Sequence, residues 1–386
     1  MFSRCYKQIL LTLALAAVSA GWTAAGAKTP DRFFDAASDR GPEVRLTVFY
    51  PSVGKIRDLV TLRESRLLDI PNLVVIGVYH EKERTNYGMS RKFVEDNQLD
   101  WFKFHPVSRP VSPDALFQKN GCSPEFEAIA GKSDGVIFFG GPDIPPSIYK
   151  EKAHLLTVID DPYRHYFELS AIFHLLGGSQ DDHFEGLLES RPGFPVLGIC
   201  LGFQSLNVGT GGSLIQDIWT EVYGQDSVEG VLNIGPENWH NNPFARLYPQ
   251  EKLAGYSLHT LNLDRDGKFV REFGFQESDH PSIVSSHHQG LEKLGKGLRI
   301  ISASRDGRIA EAIDHRKYPN MLGVQFHPEI SDIYSRDVKR RFSPQDKDGV
   351  TLMSLMEQNP PSRAFHQKIW GWFGEKLREC RKSRAK

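Results

Sequence analysis

The residue of this sequence best suited to chemistry is Cys200, which lies between two glycines in the segment GICLG at residues 198–202. Glycines two positions before and after Cys200 leave room for a sharp strand-to-helix turn that exposes the sulfur, as in the G-x-S-x-G elbow with cysteine in place of serine. Unpaired N–H groups and the helix dipole favour a thiolate at a helix start. A free cysteine that only packs in the core fits the same pattern, so the motif alone leaves both interpretations open.

A cysteine nucleophile needs an imidazole as its base, and the imidazole needs an acceptor that orients it. Residues 321–329 (MLGVQFHPE) supply both, because His327 ends an apolar run and Glu329 follows two positions later. In an extended chain these two side chains lie on the same side. The N–H after the cysteine and a donor from the glycine pair at residues 140–141 would hold an oxyanion. Together these residues predict an acyl-transfer site.

The elements that must position these residues alternate along the chain, which predicts a mostly parallel sheet covered by helices on both faces. Apolar runs that end in turns bring catalytic residues to the carboxyl edge of such a sheet, where open α/β folds bind ligands. The predicted strands are at residues 45–50, 73–80, 101–107, 135–139 and 195–199, and the predicted helices at residues 55–68, 88–96 and 163–176.

The second half of the chain is less regular. Residues 219–283 are polar and irregular, with strand-like pieces such as GYSLHTLNLD. Residues 297–315 predict two strands joined by an Asp-Gly turn, and residues 321–329 predict another strand. A charged loop then leads to an amphipathic helix near residues 363–380, which we expect to cover the core. The predicted organisation is a signal peptide at residues 1–27, one α/β domain at residues 40–331, and a C-terminal piece at residues 332–386 that packs on it.

The N-terminus has the features of a secretory signal peptide. Arg4 and Lys7 precede an apolar stretch at residues 9–20, and an A-x-A-like cleavage site ends at Ala27. We expect an exported, periplasmic or secreted protein, with an uncleaved membrane anchor as the alternative.

The cysteine count gives a further constraint. Removal of the signal would leave Cys122, Cys200 and Cys380, so at least one thiol would stay unpaired. A pair of Cys122 with Cys380 would leave Cys200 free, although the sequence does not decide the pairing.

The overall charge points to a small partner. The chain of 386 residues has 47 Lys and Arg against 48 Asp and Glu, without a long block of one sign. Nothing therefore favours a nucleic acid or an anionic membrane, and we expect a small molecule or a peptide. The sequence leaves the oligomeric state open, a homo-oligomer included.

The segments PVLGICLGFQSLNVGTGGSLIQ and LGVQFHPE together resemble the class I glutamine amidotransferase superfamily. GVIFFGGPDIPPSIY, RHYFELSAIFHLL and IVSSHHQGLEKLGKGLRIISASRDGRIAEAI are similar to its γ-glutamyl hydrolase branch, peptidase family C26, above all to γ-glutamyl-γ-aminobutyrate hydrolases. The resemblance covers residues 130–331 and implies a flavodoxin-like, amidotransferase-like α/β fold. It implies cysteine-dependent hydrolysis of a γ-glutamyl amide through a thioester, with release of glutamate and an amine or peptide.

The resemblance also implies roles for particular residues, all numbered as in this sequence. Cys200 would be the nucleophile, His327 the base and Glu329 its orienter. The oxyanion hole would be formed by Leu201, Gly140 and Gly141, and the substrate pocket would be bordered by Gln204, Ser286, His287, His288 and Gln289. For the two adjacent histidines, a polar loop or an indirect role stays an equal alternative.

Two other functions stay open at this point, and the sequence gives little support for a metal cofactor. The chain has no G-x-x-x-x-G-K-[ST] loop and no long remainder for an ATP-using domain, which favours a hydrolase over a glutaminase or amidotransferase subunit that supplies ammonia. A catalytically silent binding protein is the second alternative. No cofactor is expected, and a zinc site of His287, His288, His327 and Glu329 lacks regular ligand spacing.

Overall fold

The computed structural model describes residues 32–36 and 41–384. The predicted signal peptide at residues 1–27 lies outside the described residues. Among the helices that are described, none is both long and apolar enough to cross a membrane.

Fourteen strands occur in the described residues. They are β1 (Val44–Phe49), β2 (Leu73–His80), β3 (Phe102–Val107), β4 (Gly135–Phe138), β5 (Val196–Ile199), β6 (Leu214–Ile215), β7 (Ser257–Leu263), β8 (Ser282–Ser285), β9 (Gly290–Leu291), β10 (Leu298–Ser304), β11 (Ala310–His315), β12 (Met321–Val324), β13 (Lys339–Arg340) and β14 (Val350–Thr351).

Ten of these strands form one sheet in the order β3-β2-β1-β4-β5-β12-β11-β10-β7-β8. The six strands from β3 to β12 are parallel, and the four that follow are antiparallel. β1, β4 and β5 are buried on both faces, as parallel strands covered by helices are. The fold is therefore the predicted open, mostly parallel α/β sheet, with an antiparallel extension built from the irregular second half of the chain.

Helices cover both faces of the sheet. They are α1 (Phe33–Ala36), α2 (Val53–Glu64), α3 (Tyr87–Asp96), α4 (Ser123–Lys132), α5 (Pro162–Leu176), α6 (Leu201–Gly209), α7 (Val228–Asn233), α8 (Pro243–Leu247), α9 (Lys268–Arg271), α10 (Leu352–Glu357) and α11 (Pro361–Arg384). One core packs α2, α3, α9 and α11 against the sheet, with Leu59 and Ile369 among its buried residues. The other packs α1, α4, α5 and α6, with Phe167 and Leu206.

Three neighbouring parallel strands end at the same edge of the sheet. β4 is followed by the Gly-Gly turn, β5 by Cys200, and β12 by the segment that contains His327. Because β5 pairs with both of the other strands, these three turns are adjacent in space although they lie far apart in the sequence.

The part of the chain after residue 331 is more ordered than the predicted charged loop. It contains a short 3-10 helix (Ser331–Tyr334), the β13–β14 pair and α10 before α11 begins. Phe365, Ile369, Trp370 and Phe373 of α11 are fully buried in the core beside β1 and β8.

The cysteine pairing considered from the sequence is wrong. Cys122, Cys200 and Cys380 are all free thiols, and all are buried. Cys122 lies at the start of α4, where its sulfur contacts the carbonyl of Arg109 at 3.1 Å. Cys380 lies in α11 beside Arg191. The two thiols belong to separate surroundings and do not close a bridge.

Candidate active site

Cys200 is held in a backbone conformation that few residues adopt. It connects β5 to α6 with φ +54° and ψ −107°. Its N–H donates to the carbonyl of Val324 at 2.8 Å, and its own carbonyl accepts from the N–H of Gln204 at 3.1 Å. Such a conformation costs about 1–3 kcal/mol and persists only where the surroundings determine it. The turn presents the sulfur at the N-terminus of α6, next to the free N–H of Leu201, the first residue of the helix.

The two glycines around Cys200 are required by close packing. A β-carbon at Gly202 would overlap the carbonyl oxygen of Phe138 at the end of β4 and lie 2.6 Å from its carbonyl carbon. A β-carbon at Gly198 would lie 2.7 Å from the carbonyl oxygen of Gly202 and also against Leu206. The glycines therefore let α6 start directly against β4 and β5, as the sequence pattern predicts.

His327 and Glu329 reach the sulfur from the end of β12. His327 Nδ1 donates to Glu329 Oε1 at 2.9 Å, and the imidazole lies beside Cys200. A β-carbon on Gly140 would lie 3.2 Å from His327 Cε1 and 3.7 Å from Cys200 Sγ, so the Gly-Gly turn borders the sulfur and the ring. The structure thus brings together Cys200, His327, Glu329 and the turn at Gly140.

Lys55 is a fourth member of this group that the sequence reading missed. Its Nζ lies 3.0 Å from Glu329 Oε1 and 3.5 Å from Asp58 Oδ2. It comes from the first turn of α2, which follows β1 at the same edge of the sheet. A lysine in the first turn of a helix opposes the helix dipole, and this was the signal that could have drawn attention to it.

Neighbouring charges shift the pKa values of the buried residues His327, Glu329 and Asp58. Burial opposes a charged imidazole, but the Glu329 carboxylate and the Cys200 thiolate raise the pKa of His327 to about 10. Burial would likewise raise the pKa of Glu329, yet the charges of Lys55 and His327 hold it far below its ordinary value. Burial raises the pKa of Asp58 to about 6, against the opposing effect of Lys55. At neutral pH, His327 is therefore an imidazolium that can donate a proton.

A second buried ion pair supports the Gly-Gly turn. Arg164 of α5 donates from Nη2 to the carbonyls of Phe139 at 2.8 Å and Gly140 at 3.2 Å. Its Nε donates to Glu168 at 2.8 Å, and both side chains are almost fully buried. A β-carbon at Gly141 would collide with the guanidinium. With its carbonyls bound from behind, the turn is fixed next to the sulfur.

The residues predicted to border the substrate pocket do not all face it. The carbonyl of Ser286 lies 4.0 Å from Cys200 Sγ. Gln204 is buried, and its amide donates to the carbonyl of Gln289 at 3.3 Å and to the side chain of Gln325 at 3.1 Å. The Gln289 side chain is buried and makes no hydrogen bond within the protein. Of these three predicted residues, Ser286 is the one that the structure places at the sulfur.

The two adjacent histidines point to different surroundings. His288 lies between Asp143 and Asp217, with ring nitrogens 3.1 and 3.2 Å from their carboxylates. Burial opposes its charge, but these two carboxylates raise the pKa of His288 to about 9. His287 is instead buried and lies 3.6 Å from Glu311. The zinc quartet considered from the sequence is therefore wrong, since its members belong to three separate groups.

The turn between His327 and Glu329 is held from the C-terminal part of the chain. The carbonyl of Pro328 accepts a hydrogen bond from Tyr334 Oη at 2.6 Å and from Trp370 Nε1 at 3.1 Å. Trp370 is fully buried in α11.

Comparison with known proteins assigns the chain to a family. The model of the peptidase C26 family matches residues 115–329, which is more than half of the chain. The chain belongs to the peptidase C26 family.

Relatives of known sequence carry two kinds of name. The glutamine amidotransferase-like protein YvdE of Lactococcus lactis is 30% identical over 198 residues, which are 51% of this chain and 66% of the relative. The γ-glutamyl-γ-aminobutyrate hydrolase PuuD of Escherichia coli K12 is 26% identical over 263 residues, which are 68% of this chain and 87% of the relative. A solved structure, a glutamine amido transferase from Methylobacillus flagellatus, is 13% identical with a TM-score of 0.37 over 79% of this chain and 94% of its own.

The close contact at Gly202 gives a first prediction. Gly202→Ala places a methyl group on the Phe138 carbonyl, so we expect the free energy of unfolding in urea to fall by about 1–3 kcal/mol. Gly371→Ala is the matched control, because its position in α11 is exposed and has no atom within 4 Å of the added carbon. There we expect a gain of about 0.5–1 kcal/mol. Equal stability of Gly202→Ala and wild type would contradict the packing described.

The charge pairing gives a second prediction. In the NMR spectrum of protein labelled at histidine Cε1, the signal absent from His327→Gln should titrate near pH 10 in the wild type. Because its pKa is raised on folding, His327 stabilises the fold below its ordinary pKa and loses that contribution as the pH rises through about 10. Glu329→Gln removes the neighbouring negative charge and should lower this pKa by more than about one unit.

The control for that experiment is Glu64→Gln, an exposed carboxylate of α2, which should leave the titration unchanged. A wild-type His327 that titrates at the ordinary pKa of histidine would show that the ion pair does not form.

Proposed function

We propose that the chain is a cysteine hydrolase of γ-glutamyl amides, with Cys200 as nucleophile, His327 as general acid and base, and Glu329 as the group that orients His327. The observation that carries this proposal is the contact of a sulfur on a strained turn with an imidazole held by a buried carboxylate. A nucleophile, a base and an orienter in series form the arrangement that acyl transfer requires.

The proposed reaction proceeds in two steps. Cys200 thiolate attacks the side-chain amide carbonyl, and the N–H groups of Leu201 and of the Gly140-Gly141 turn hold the oxyanion. The C–N bond breaks as the His327 imidazolium gives its proton to the departing amine, which leaves a thioester. Neutral His327 then takes a proton from water, the hydroxide attacks the thioester, and glutamate departs as the thiolate and the imidazolium are restored.

Lys55 acts in this scheme as a positioning residue. It neutralises the buried Glu329 carboxylate at 3.0 Å and so allows that carboxylate to remain charged without solvent. Glu329 in turn holds the ring of His327 in one orientation through Nδ1, which leaves the second ring nitrogen free to exchange a proton.

The γ-glutamyl part of the proposal rests on relatives. PuuD is named as a hydrolase of γ-glutamyl-γ-aminobutyrate, and the chain spans 87% of its length. The name of YvdE favours a second candidate, a glutaminase-type reaction in which the amine released is ammonia. Both reactions share the nucleophile and the thioester, and they differ in the size of the leaving amine.

Substrate and nucleophile can be tested together. We expect wild type to release glutamate from members of a panel that contains γ-glutamyl-γ-aminobutyrate, a γ-glutamyl dipeptide, a γ-linked diglutamate and glutamine. Cys200→Ala should lower this rate at least about a thousandfold. Cys380→Ala, which removes a distant buried thiol, should leave it close to wild type.

Each outcome of that panel has a meaning. Rapid release from glutamine alone would replace the hydrolase by the glutaminase, and activity retained in Cys200→Ala would overturn the nucleophile. If nothing is cleaved, treatment with a glutamine-mimicking diazoketone and mass analysis decides, because the absence of an adduct on Cys200 would indicate a silent binding protein.

The support of the Gly-Gly turn gives a separate prediction. Arg164→Lys keeps a buried positive charge, but a single ammonium nitrogen cannot replace both the Nε contact with Glu168 and the Nη2 contacts with the Phe139 and Gly140 carbonyls. We expect kcat to fall about tenfold to a hundredfold with a smaller change in KM, because the turn holds the transition state. Arg305→Lys, an exposed arginine, is the control. A rise in KM with unchanged kcat would contradict this role.

A further inference from the structure

Three histidines and one glutamate meet inside the protein, behind the segment that borders Cys200. His259 lies in β7, Glu311 in β11, His287 two residues after β8, and His240 in the turn before α8. Their side chains are buried, with at most 2% exposure. Nothing in the proposed reaction uses this group, which we call the His-Glu cluster.

The distances within the His-Glu cluster are those of a metal site. Glu311 Oε1 lies 3.1 Å from His240 Nδ1, 3.5 Å from His259 Nε2 and 3.6 Å from His287 Nε2. All four atoms lie within 4.8 Å of one another. Zinc bonds of about 2.0–2.1 Å to nitrogen and oxygen give a tetrahedron whose edges measure about 3.3 Å. The three measured edges lie close to that value.

The four inward atoms have no hydrogen-bond partner. His240 Nδ1, His259 Nε2, His287 Nε2 and Glu311 Oε1 are buried without one, and so is the second carboxylate oxygen of Glu311. The four atoms lie near one another at the distances given above, without the geometry of hydrogen bonds. Buried carboxylates and imidazoles that are left unsatisfied are costly, and native proteins rarely keep so many in one place.

The outward nitrogen of each ring lies near an oxygen. His287 Nδ1 lies 2.8 Å from the carbonyl of Gln289, and His259 Nδ1 lies 3.3 Å from that of Thr260. His240 Nε2 lies 3.5 Å from the hydroxyl of Tyr223. A proton held on the outer nitrogen leaves the inner nitrogen with a lone pair, and this is how metal-ligating histidines are oriented in proteins.

We propose that His240, His259, His287 and Glu311 bind one Zn²⁺ ion. A divalent cation would satisfy all four inward atoms at once and offset the buried carboxylate. Three imidazoles and a carboxylate suit zinc, and four protein ligands shielded from solvent match a closed structural site in which no position is left for substrate. These ligands differ from the zinc set considered in the sequence analysis, where His287 was grouped with His288, His327 and Glu329. No metal was expected from the sequence.

The zinc ion would fix the segment that borders the sulfur. The carbonyl of His240 accepts hydrogen bonds from the N–H of His287 at 3.0 Å and from Ser285 Oγ at 2.8 Å. Ser286 lies between those two residues, and its carbonyl is 4.0 Å from Cys200 Sγ. The ion would thus join β7, β8 and β11 and hold Ser286 beside the nucleophile.

The first test is the metal content of the full chain, purified without chelator after expression with added zinc. Elemental analysis should find about one zinc per chain in wild type and less than about a tenth in Glu311→Gln and His259→Gln. His183→Gln, an exposed histidine, should keep the wild-type content. Zinc-free wild type that takes up no zinc on titration would overturn the proposal, as would equal zinc in all four proteins.

A second measurement uses wild type alone, in case the variants do not fold. Treatment with dipicolinate should lower the unfolding temperature, and added Zn²⁺ should restore it. Replacement by Co²⁺ should give the intense visible absorption of a tetrahedral ion. An unfolding temperature that responds to neither step would contradict the site. Neither measurement depends on substrate, so this proposal can fail while the proposed hydrolase stands.

Discussion

The conformation of Cys200 is the constraint on which the rest of the site depends. A side chain can project from the end of β5 into the mouth of the sheet only if the chain turns sharply with a positive φ. That turn brings the first turn of α6 against the carbonyl of Phe138 in β4. Position 202 must therefore be glycine, because a β-carbon there would overlap this carbonyl. It also requires β12 as a neighbour, because the carbonyl of Val324 accepts the N–H of Cys200.

The same site contains charges that would be unfavourable alone. Glu329 and Glu168 are fully buried, and each is paired with a buried or partly buried cation, Lys55 and Arg164. Removing one partner from such a pair leaves an uncompensated charge, which is far more costly than the pair is stabilising. The two pairs therefore act as a constraint on geometry: Glu329, paired with Lys55, orients His327, and Arg164, paired with Glu168, holds the Gly140-Gly141 turn.

Much of this architecture follows from local sequence. Parallel strands that are buried on both faces are rich in apolar and β-branched residues, so β1, β2 and β5 are predicted within one residue at each end. The candidate nucleophile and base can also be identified from the sequence. The glycines lie within two positions of Cys200, and Glu329 lies two positions from His327. Lys55 could not be identified in this way, since its partner lies 274 residues away and no local pattern joins them. Arg164 resembled any helical arginine, because only its burial distinguishes it.

The adjacent histidines show a different limit. His287 and His288 are neighbours in the chain but diverge, one toward the interior and one toward Asp143 and Asp217. The sequence reading kept them together as one pocket segment. The partners that give His287 its surroundings come from β7, β11 and a distant turn, and their convergence depends on the antiparallel half of the sheet, which carried the weakest signal.

Tyr334 and Trp370 both donate hydrogen bonds to the Pro328 carbonyl. These two bonds limit where the chain can be truncated. The family match ends at residue 329, which invites the idea of a shorter catalytic core with a detachable tail. A protein cut there would lose both donors on the turn between His327 and Glu329, and the sheet surface now covered by Phe365 and Ile369 would face water. Fusions or shortened versions of this protein should therefore keep the last helix, because it is part of the scaffold of the candidate site.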